Sequence, residues 1–118
     1  MIIPCTLDAT RRIAVVRPAG ELDIAAADGL RDALARACRS EADRVVVDLG
    51  GVTFVDSSVI GVLVATAKQL QRAGCHLLIV NATSRPMRTL QLTGVPRVVV
   101  VVAAGAQLDP DVAACLSP

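Results

Sequence analysis

Short apolar runs that alternate with segments of helical periodicity constrain the fold of this chain more than any other feature. Residues 44–49, 75–80 and 97–102 are short runs in which valine, leucine and isoleucine predominate. Runs of this length and composition are typical of strands that are buried on both faces of a sheet. Strands that alternate with helices predict an α/β sheet with crossover connections, in which helices cover at least one face.

Two longer segments between these runs carry their apolar residues at helical spacing. Residues 23–40 form the first predicted helix, and Asp23 stands in the position of its N-cap. Residues 57–73 form the second, and Gly74 ends it as a C-cap. The positions of the second helix that are predicted to face inward are Ile60, Leu63, Val64, Ala67 and Leu70.

The C-terminal third of the chain predicts two shorter helices. The first lies near residues 86–93, with Thr83 or Ser84 as its cap and Gly94 as its stop. The second is the one short helix expected in the tail, beginning at Pro110.

The N-terminal part predicts additional strands. Residues 12–18 form a short β-branched strand, and a strand before it, over residues 2–7, contains Pro4. Proline has no amide hydrogen for the ladder, so that strand is confined to an edge of the sheet. Short turns join these strands, and we expect an antiparallel or mixed edge. Gly50 and Gly51 are interpreted as the exit turn of the strand that ends at residue 49.

The composition excludes several classes of function. Phe54 is the only aromatic residue, so the bases of a single-stranded nucleic acid have no ring to stack on. A formal net charge of +1 is too small to attract DNA, RNA or anionic lipid by a long-range electrostatic field. The longest apolar run, residues 98–106, is about half as long as a bilayer crossing requires, and the N-terminus does not resemble a secretory signal. We expect a cytoplasmic protein with no direct nucleic-acid or membrane partner.

The cysteines and the histidine offer no metal site and no catalytic set. Cys5, Cys38, Cys75 and Cys115 have neither the close spacing of zinc ligands nor that of a redox dithiol, and reduced thiols are expected. His76, the only histidine, follows Cys75 on a strand and points to the opposite face of the sheet. No Ser-His-Asp set can be proposed either. The sequence predicts no metal, no cofactor and no enzymatic activity.

Asp56, Ser57 and Ser58 stand where a loop enters the second predicted helix. One interpretation is structural: Ser57 caps the helix, and Asp56 interacts favourably with the helix dipole. The other is functional: a serine here exposes its hydroxyl, and a phosphate added to it meets free amides and the positive end of the dipole. These residues taken alone leave both interpretations open.

Three motifs follow one another in order along the chain. They are Gly-Glu-Leu-Asp ending at Asp23, Asp-Leu-x-x-Val-x-Phe-x-Asp-Ser-Ser ending at Ser58, and Leu-Thr-Gly ending at Gly94. With these motifs the chain resembles the STAS domain family, and within it the anti-anti-sigma factors. The resemblance covers roughly residues 12–102 of one predicted domain, residues 1–118, with 103–118 as a tail. It implies a single α/β domain with a four- or five-stranded mixed sheet and helices packed mainly on one face.

The resemblance also implies a function, that of an anti-sigma factor antagonist. When unphosphorylated, such a protein binds an anti-sigma factor with serine kinase activity and so frees a sigma factor. The kinase phosphorylates the serine after the motif aspartate, which is Ser57 here, and a serine phosphatase resets the switch. Ser58 is the second choice, because neighbouring residues of a helix point about 100° apart and one of them faces the kinase better. We expect a monomer or a weak dimer.

The same resemblance implies a docking surface around this serine. Asp56 would orient the hydroxyl or contact the partner, and Asp23 would contribute from the same end of the sheet, besides or instead of capping its helix. The family usually has Asp-Ser-Ser-Gly-Leu-Gly, whereas Val59 replaces the first glycine here and adds a branched side chain. The expected partner-binding residues are Asp23, Asp56, Ser57, Ser58, Val59 and Gly61.

Val59 leaves an alternative function open. A constitutive STAS adaptor subunit of a transport ATPase, or a stress-signalling scaffold, would bind its partner without a phosphorylation cycle. A nucleotide or small-molecule sensor is a second alternative, for which the sequence offers no phosphate-binding loop. Control through the thiols of Cys38, Cys75 or Cys115 is a third.

Overall fold

The computed structural model describes residues 2–117; Met1 and Pro118, which the predicted domain includes, lie outside the described residues. The strands are β1 (Cys5–Asp8), β2 (Ile13–Val16), β3 (Ala19–Leu22), β4 (Arg44–Asp48), β5 (Gly51–Val55), β6 (His76–Ala82) and β7 (Val100–Ala103). The helices are α1 (Ile24–Arg39), α2 (Ser57–Arg72), α3 (Ser84–Leu92) and α4 (Pro110–Leu116), and Val95–Arg97 forms a 3₁₀ turn.

A five-stranded mixed sheet in the order β1-β2-β4-β6-β7 forms the centre of the domain. β1 pairs with β2 antiparallel, and the other three pairs of the sheet are parallel. The predicted edge strand is confirmed, although it begins only after Pro4. The fold therefore is the α/β domain with a mixed sheet that the sequence predicts.

A second, two-stranded sheet pairs β3 with β5 in parallel. The prediction that Gly50 and Gly51 form only an exit turn is wrong, because Gly51 is the first residue of β5. The chain leaves the main sheet there, and its next buried residues, Val52 and Val55, face the core from the small sheet. This pairing matters for the site, since β3 leads into α1 and β5 leads into α2.

The last strand begins later than its valine run predicts. Val95–Arg97 forms the 3₁₀ turn, with Pro96 near its start and Gly94 in the left-handed region before it (φ 78°). Val99 then packs into the core, and β7 starts at Val100. Val98 and Val99 lie between the turn and the strand and continue into the valines of β7, so composition alone does not show where the strand begins.

The start of α3 also differs from its predicted position. The helix begins at Ser84, which is its first residue and not its cap. Thr83 is the N-cap residue, but its hydroxyl donates to the carbonyl of Val52 (3.3 Å) instead of accepting from the helix. That hydrogen bond ties the start of α3 to the small sheet.

The helices cover the two faces of the main sheet unequally. α1 and α2 pack with the strands in one large core, in which the predicted inward positions of α2 are buried, apart from Val64, which is half-buried. On the other face, α4 buries Val112 in a smaller cluster. Arg17 holds the end of α4 by donating to the carbonyls of Cys115 (3.2 Å) and Leu116 (3.1 Å). The predicted tail helix and the unequal distribution of helices are confirmed.

Two leucines of α3 test the assignment of its inner and outer faces. Leu90 is 0% exposed and Leu92 is 77% exposed. We expect Leu90→Ala to lower the free energy of unfolding by about 2–5 kcal/mol, because it removes a buried side chain and leaves a cavity. The matched variant Leu92→Ala should change it by less than about 0.5 kcal/mol. Urea unfolding of the two variants measures both; equal losses would contradict this orientation of α3.

Candidate functional site

The small sheet brings the starts of α1 and α2 side by side. Leu22 at the end of β3 pairs with Val55 at the end of β5, and the amide of Asp56 donates to the carbonyl of Leu22 (3.1 Å). Asp23 and Asp56 follow directly on these paired strand ends. The two motif aspartates therefore lie at the same end of the domain, as the sequence predicts.

Asp56 is the N-cap of α2. Its Oδ1 accepts from the amides of Ser58 (3.0 Å) and Val59 (3.2 Å) and from the hydroxyl of Ser58 (2.5 Å). The hydroxyl of Ser58 is the main cause that lowers the pKa of Asp56, the amides of Val59, Ser58 and Ile24 act in the same direction, and partial burial opposes them. The carboxylate is therefore ionised at neutral pH, and it occupies two of the amides that begin the helix.

Asp23 caps α1 in the predicted way. Its side chain accepts from the amide of Ala25 (3.0 Å). The next residue, Ile24, is 76% exposed, although it is the first residue of α1 and strongly apolar. This exposed apolar side chain follows one capping aspartate, and the amide of the same residue lies within reach of the other, Asp56. The sequence motifs do not reveal such a contact point, because helical periodicity does not tell which end of a helix stays uncovered.

Ser57 and Ser58 occupy different environments. Ser57 is the first residue of α2 and is exposed, and its hydroxyl makes no hydrogen bond within residues 2–117. Ser58 is half-buried and donates its hydroxyl to Asp56. The structural interpretation of Ser57 as the helix cap is wrong, because Asp56 performs that role. Of the two hydroxyls, the one of Ser57 is free to react.

Val59 does not reach the expected docking surface. Its side chain is 0% exposed and belongs to the large core. The expectation that it adds a branched side chain for a partner to meet is therefore wrong: the valine turns inward. Gly61 lies on the outer side of α2, where a Cβ would meet no other atom within 4 Å. The bare backbone that a partner could approach is thus retained at Gly61.

A recess of about 400 Å³ lies between α1 and α2, next to the serines. Arg31 of α1 lines it together with Ser58 and Gly61 of α2. Arg31 also pairs with Asp28 on its own helix (2.6 Å). The sequence gives no reason to select Arg31 among the charged residues of α1, because only the packing of the two helices brings it to the recess that Ser58 lines.

Other kinds of site find little support in the described part of the chain. Within residues 2–117, no three His, Cys, Asp and Glu side chains are grouped so that they could hold a metal ion. The four cysteines are free thiols. Burial is the main cause that raises the pKa of each of them, which disfavours the reactive thiolate. No described helix has both the length and the apolar character to span a membrane.

The cap formed by Asp56 gives a prediction on stability and pH. Asp56→Ala should lower the free energy of unfolding at pH 7, because the amides of Ser58 and Val59 lose their acceptor. Since folding lowers the pKa of Asp56, the cap contributes most above the unfolded value of 3.8 and weakens as the pH falls through the folded pKa. The difference between wild type and Asp56→Ala should therefore shrink below pH 3.8 in urea unfolding curves.

Asp32→Ala is the matched control for this prediction. Asp32 is an exposed aspartate within α1 and caps no helix. We expect Asp32→Ala to leave the unfolding curve nearly unchanged at both pH values. A loss at pH 7 as large as that of Asp56→Ala would contradict the assignment of the cap.

Comparisons with known proteins agree with this geometry. The chain matches the model of the STAS domain over residues 5–114. It is 32% identical over 84 residues to the anti-sigma-B factor antagonist of Bacillus subtilis strain 168, over 71% of this chain and 76% of that protein.

Two solved structures show the same fold. An anti-sigma factor antagonist from Mycobacterium paratuberculosis has a TM-score of 0.77 and 24% identity, over 95% of this chain and 92% of that chain. The Bacillus cell fate determinant SpoIIAA in its phosphorylated form has a TM-score of 0.67 and 20% identity, over 98% of this chain and 99% of that chain. With the family match over nearly its whole length, the chain belongs to the STAS domain family, in which its relatives include anti-sigma factor antagonists.

Proposed function

We propose that this protein is an anti-sigma factor antagonist that is switched off by phosphorylation of Ser57. In the unphosphorylated form it binds an anti-sigma factor with serine kinase activity, which frees a sigma factor. A serine phosphatase restores the binding form. The protein itself is a binding module and a substrate, not an enzyme, and it acts in the cytoplasm.

The observation that carries this proposal is the free hydroxyl of Ser57 beside the ionised carboxylate of Asp56. Ser57 is exposed at the first position of α2, whereas the hydroxyl of Ser58 is engaged by Asp56. A kinase needs an accessible hydroxyl, and this geometry favours Ser57 over Ser58. SpoIIAA, which shares the fold and has been solved in a phosphorylated form, supports the proposal by analogy.

The kinase supplies most of what the phosphoryl transfer requires, and this chain supplies only the accepting hydroxyl. The kinase transfers the γ-phosphoryl group of ATP to the Oγ of Ser57: an O–P bond forms, the bond between the γ-phosphorus and the bridging oxygen breaks, and ADP leaves. The hydroxyl proton passes to the base of the kinase. ATP and its divalent ion belong to the kinase. The chain contributes an accessible hydroxyl on a rigid helix start.

The proposed docking surface consists of Asp23, Ile24, Asp56, Ser57 and Gly61. It joins two carboxylates, one exposed apolar side chain and one stretch of bare backbone. Such a surface fits a partner whose hydrogen-bond donors reach the two carboxylates and whose apolar pocket accepts Ile24. A phosphate on Ser57 would add about −1.5 to −2 charges beside the carboxylate of Asp56. Docking would then have to remove water from two neighbouring anions and make room for the phosphoryl group, and we expect this cost to cause release.

The position of Val59 removes one argument for the adaptor alternative. This argument rested on Val59 as an obstacle at the docking surface, and Val59 is buried. A protein of that kind would bind its partner equally well with an acidic residue at position 57. The experiment below separates the two functions.

Substitutions at position 57 test the proposal. We expect the Ser57→Ala variant to capture from its own cells an anti-sigma factor with an ATP-binding kinase domain, and to bind the purified partner as tightly as wild type does. Ser57→Asp should weaken that binding about tenfold or more, because docking must then remove water from a second carboxylate beside that of Asp56. Calorimetric titration of each variant with the partner measures the loss.

Ser84→Asp is the control for this experiment. Ser84 is exposed and is the first residue of α3, as Ser57 is of α2. We expect it to leave the affinity within about threefold, a change of under 1 kcal/mol. The proposal would be contradicted if Ser57→Asp bound the anti-sigma factor as tightly as wild type, or if a transport ATPase were captured in its place. Either result would favour the adaptor function.

A further inference from the structure

A phosphate on Ser57 would meet an unfavourable environment on its own helix. The amides of Ser58 and Val59, which a phosphate at a helix start commonly uses, already donate to Asp56. The expectation from the sequence that the phosphate meets free amides is therefore wrong for these two groups. The phosphate would instead stand beside the carboxylate of Asp56, and the repulsion between the two anions would be reduced by a cation nearby.

Arg31 is placed to supply that cation. It lines the recess between α1 and α2 together with Ser58 and Gly61. Gly61 is four residues after Ser57, on the same side of α2, and a Cβ there would meet nothing within 4 Å. No side chain of α2 at this position separates Ser57 from the recess.

The present partner of Arg31 can be exchanged. Arg31 pairs with Asp28 at 2.6 Å, but both side chains are largely exposed, 60% and 91%. Exposed pairs of this kind contribute little to stability, so little is lost when the guanidinium turns away. A phosphate offers nearly two charges and three acceptor oxygens, which the planar guanidinium binds in a bidentate manner.

Other arginines are placed less well. Arg85 lies over the ring of Phe54, with 6.0 Å between its guanidinium carbon and the ring centroid. Arg39 lines a neighbouring recess and lies about two turns further along α1. Neither lines the recess that Ser58 and Gly61 share with Arg31.

We propose that Arg31 binds the phosphoryl group of phosphorylated Ser57, exchanging its ion pair with Asp28 for the phosphate. This inference rests on the proposed phosphorylation of Ser57 and specifies its structural consequence. The phosphorylated side chain is drawn across Gly61 towards the recess. The guanidinium then covers the bare backbone of α2, and a partner loses both the free hydroxyl and the approach to Gly61.

Phosphorus NMR tests this exchange without any kinase. Phosphoserine is placed at position 57 of the full chain during synthesis, and the second pKa of the phosphate is read from its chemical shift as the pH is raised. A guanidinium contact favours the dianion and lowers this pKa. We expect Arg31→Gln to raise it by about 0.2–0.7 units, the shift that an exposed ion pair produces. Arg31→Lys, which keeps a charge, should raise it less.

Two controls make the result specific. Arg85→Gln and Arg39→Gln should leave the pKa of the phosphate unchanged. Phosphoserine at position 84, at the start of α3, should not respond to Arg31→Gln. An unchanged pKa in the Arg31→Gln protein, or an equal shift in Arg85→Gln, would overturn the inference.

The outcome is separable from that of the proposed function. A shift in the Arg31→Gln protein supports the contact even if cells never phosphorylate Ser57, in which case only the proposed function fails. If Ser57 is phosphorylated in cells but the phosphate pKa is unchanged in the Arg31→Gln protein, the proposed function still holds. In that case Arg31 has no part in it.

Discussion

The pairing of β3 with β5 is the constraint on which the candidate site depends. These two short parallel strands lie outside the main sheet, and their ends are joined by the hydrogen bond from the amide of Asp56 to the carbonyl of Leu22. Each strand passes directly into a helix, so the pairing fixes the starts of α1 and α2 next to each other. Without it, Asp23 and Asp56 would be two unrelated helix caps.

Asp56 determines which of the two serine hydroxyls is left without a hydrogen bond at the start of α2. By accepting from Ser58 and Val59, its carboxylate holds one hydroxyl and leaves the hydroxyl of Ser57 exposed. The same carboxylate makes the surface anionic before any phosphate arrives. The phosphorylation that we propose would therefore add a second anion beside Asp56, and the proposed role of Arg31 is to compensate part of this charge. A switch of this kind needs no large movement of the backbone, because the change in charge is itself the signal.

Much of the fold follows from periodicity in the sequence. The cap at Asp23, the glycine after α2 and the apolar runs of β4 and β6 are local signals, and each is interpreted from a few neighbouring residues. The cap of α2 is Asp56 and not the predicted Ser57, because both residue types suit that position. The sequence does not predict the small sheet, because β5 begins at the second of two adjacent glycines, which resemble a turn. The valine run predicts too early a start for β7, because Val98 and Val99 precede the strand without any change in composition.

The candidate site was predictable only in part. The family motifs locate Asp23, Asp56 and Ser57, but they do not show which side chains turn inward. Val59 is buried, Ile24 is exposed at the start of α1, and Arg31 lines a recess together with Ser58. These placements result from the packing of α1 against α2, which depends on contacts between residues that are far apart in the chain. No local pattern around Arg31 distinguishes it from the other arginines of α1.

Site-mapped mass spectrometry of the protein purified from its own cells tests the central claim most directly. The wild type, Ser57→Ala and Ser58→Ala would be compared across growth phases. We predict one phosphate on Ser57 in wild type and in Ser58→Ala, and none in Ser57→Ala. Absence of phosphate from Ser57 under every condition, or a phosphate on Ser58 in the wild type, would contradict the claim that the free hydroxyl beside Asp56 is the switch.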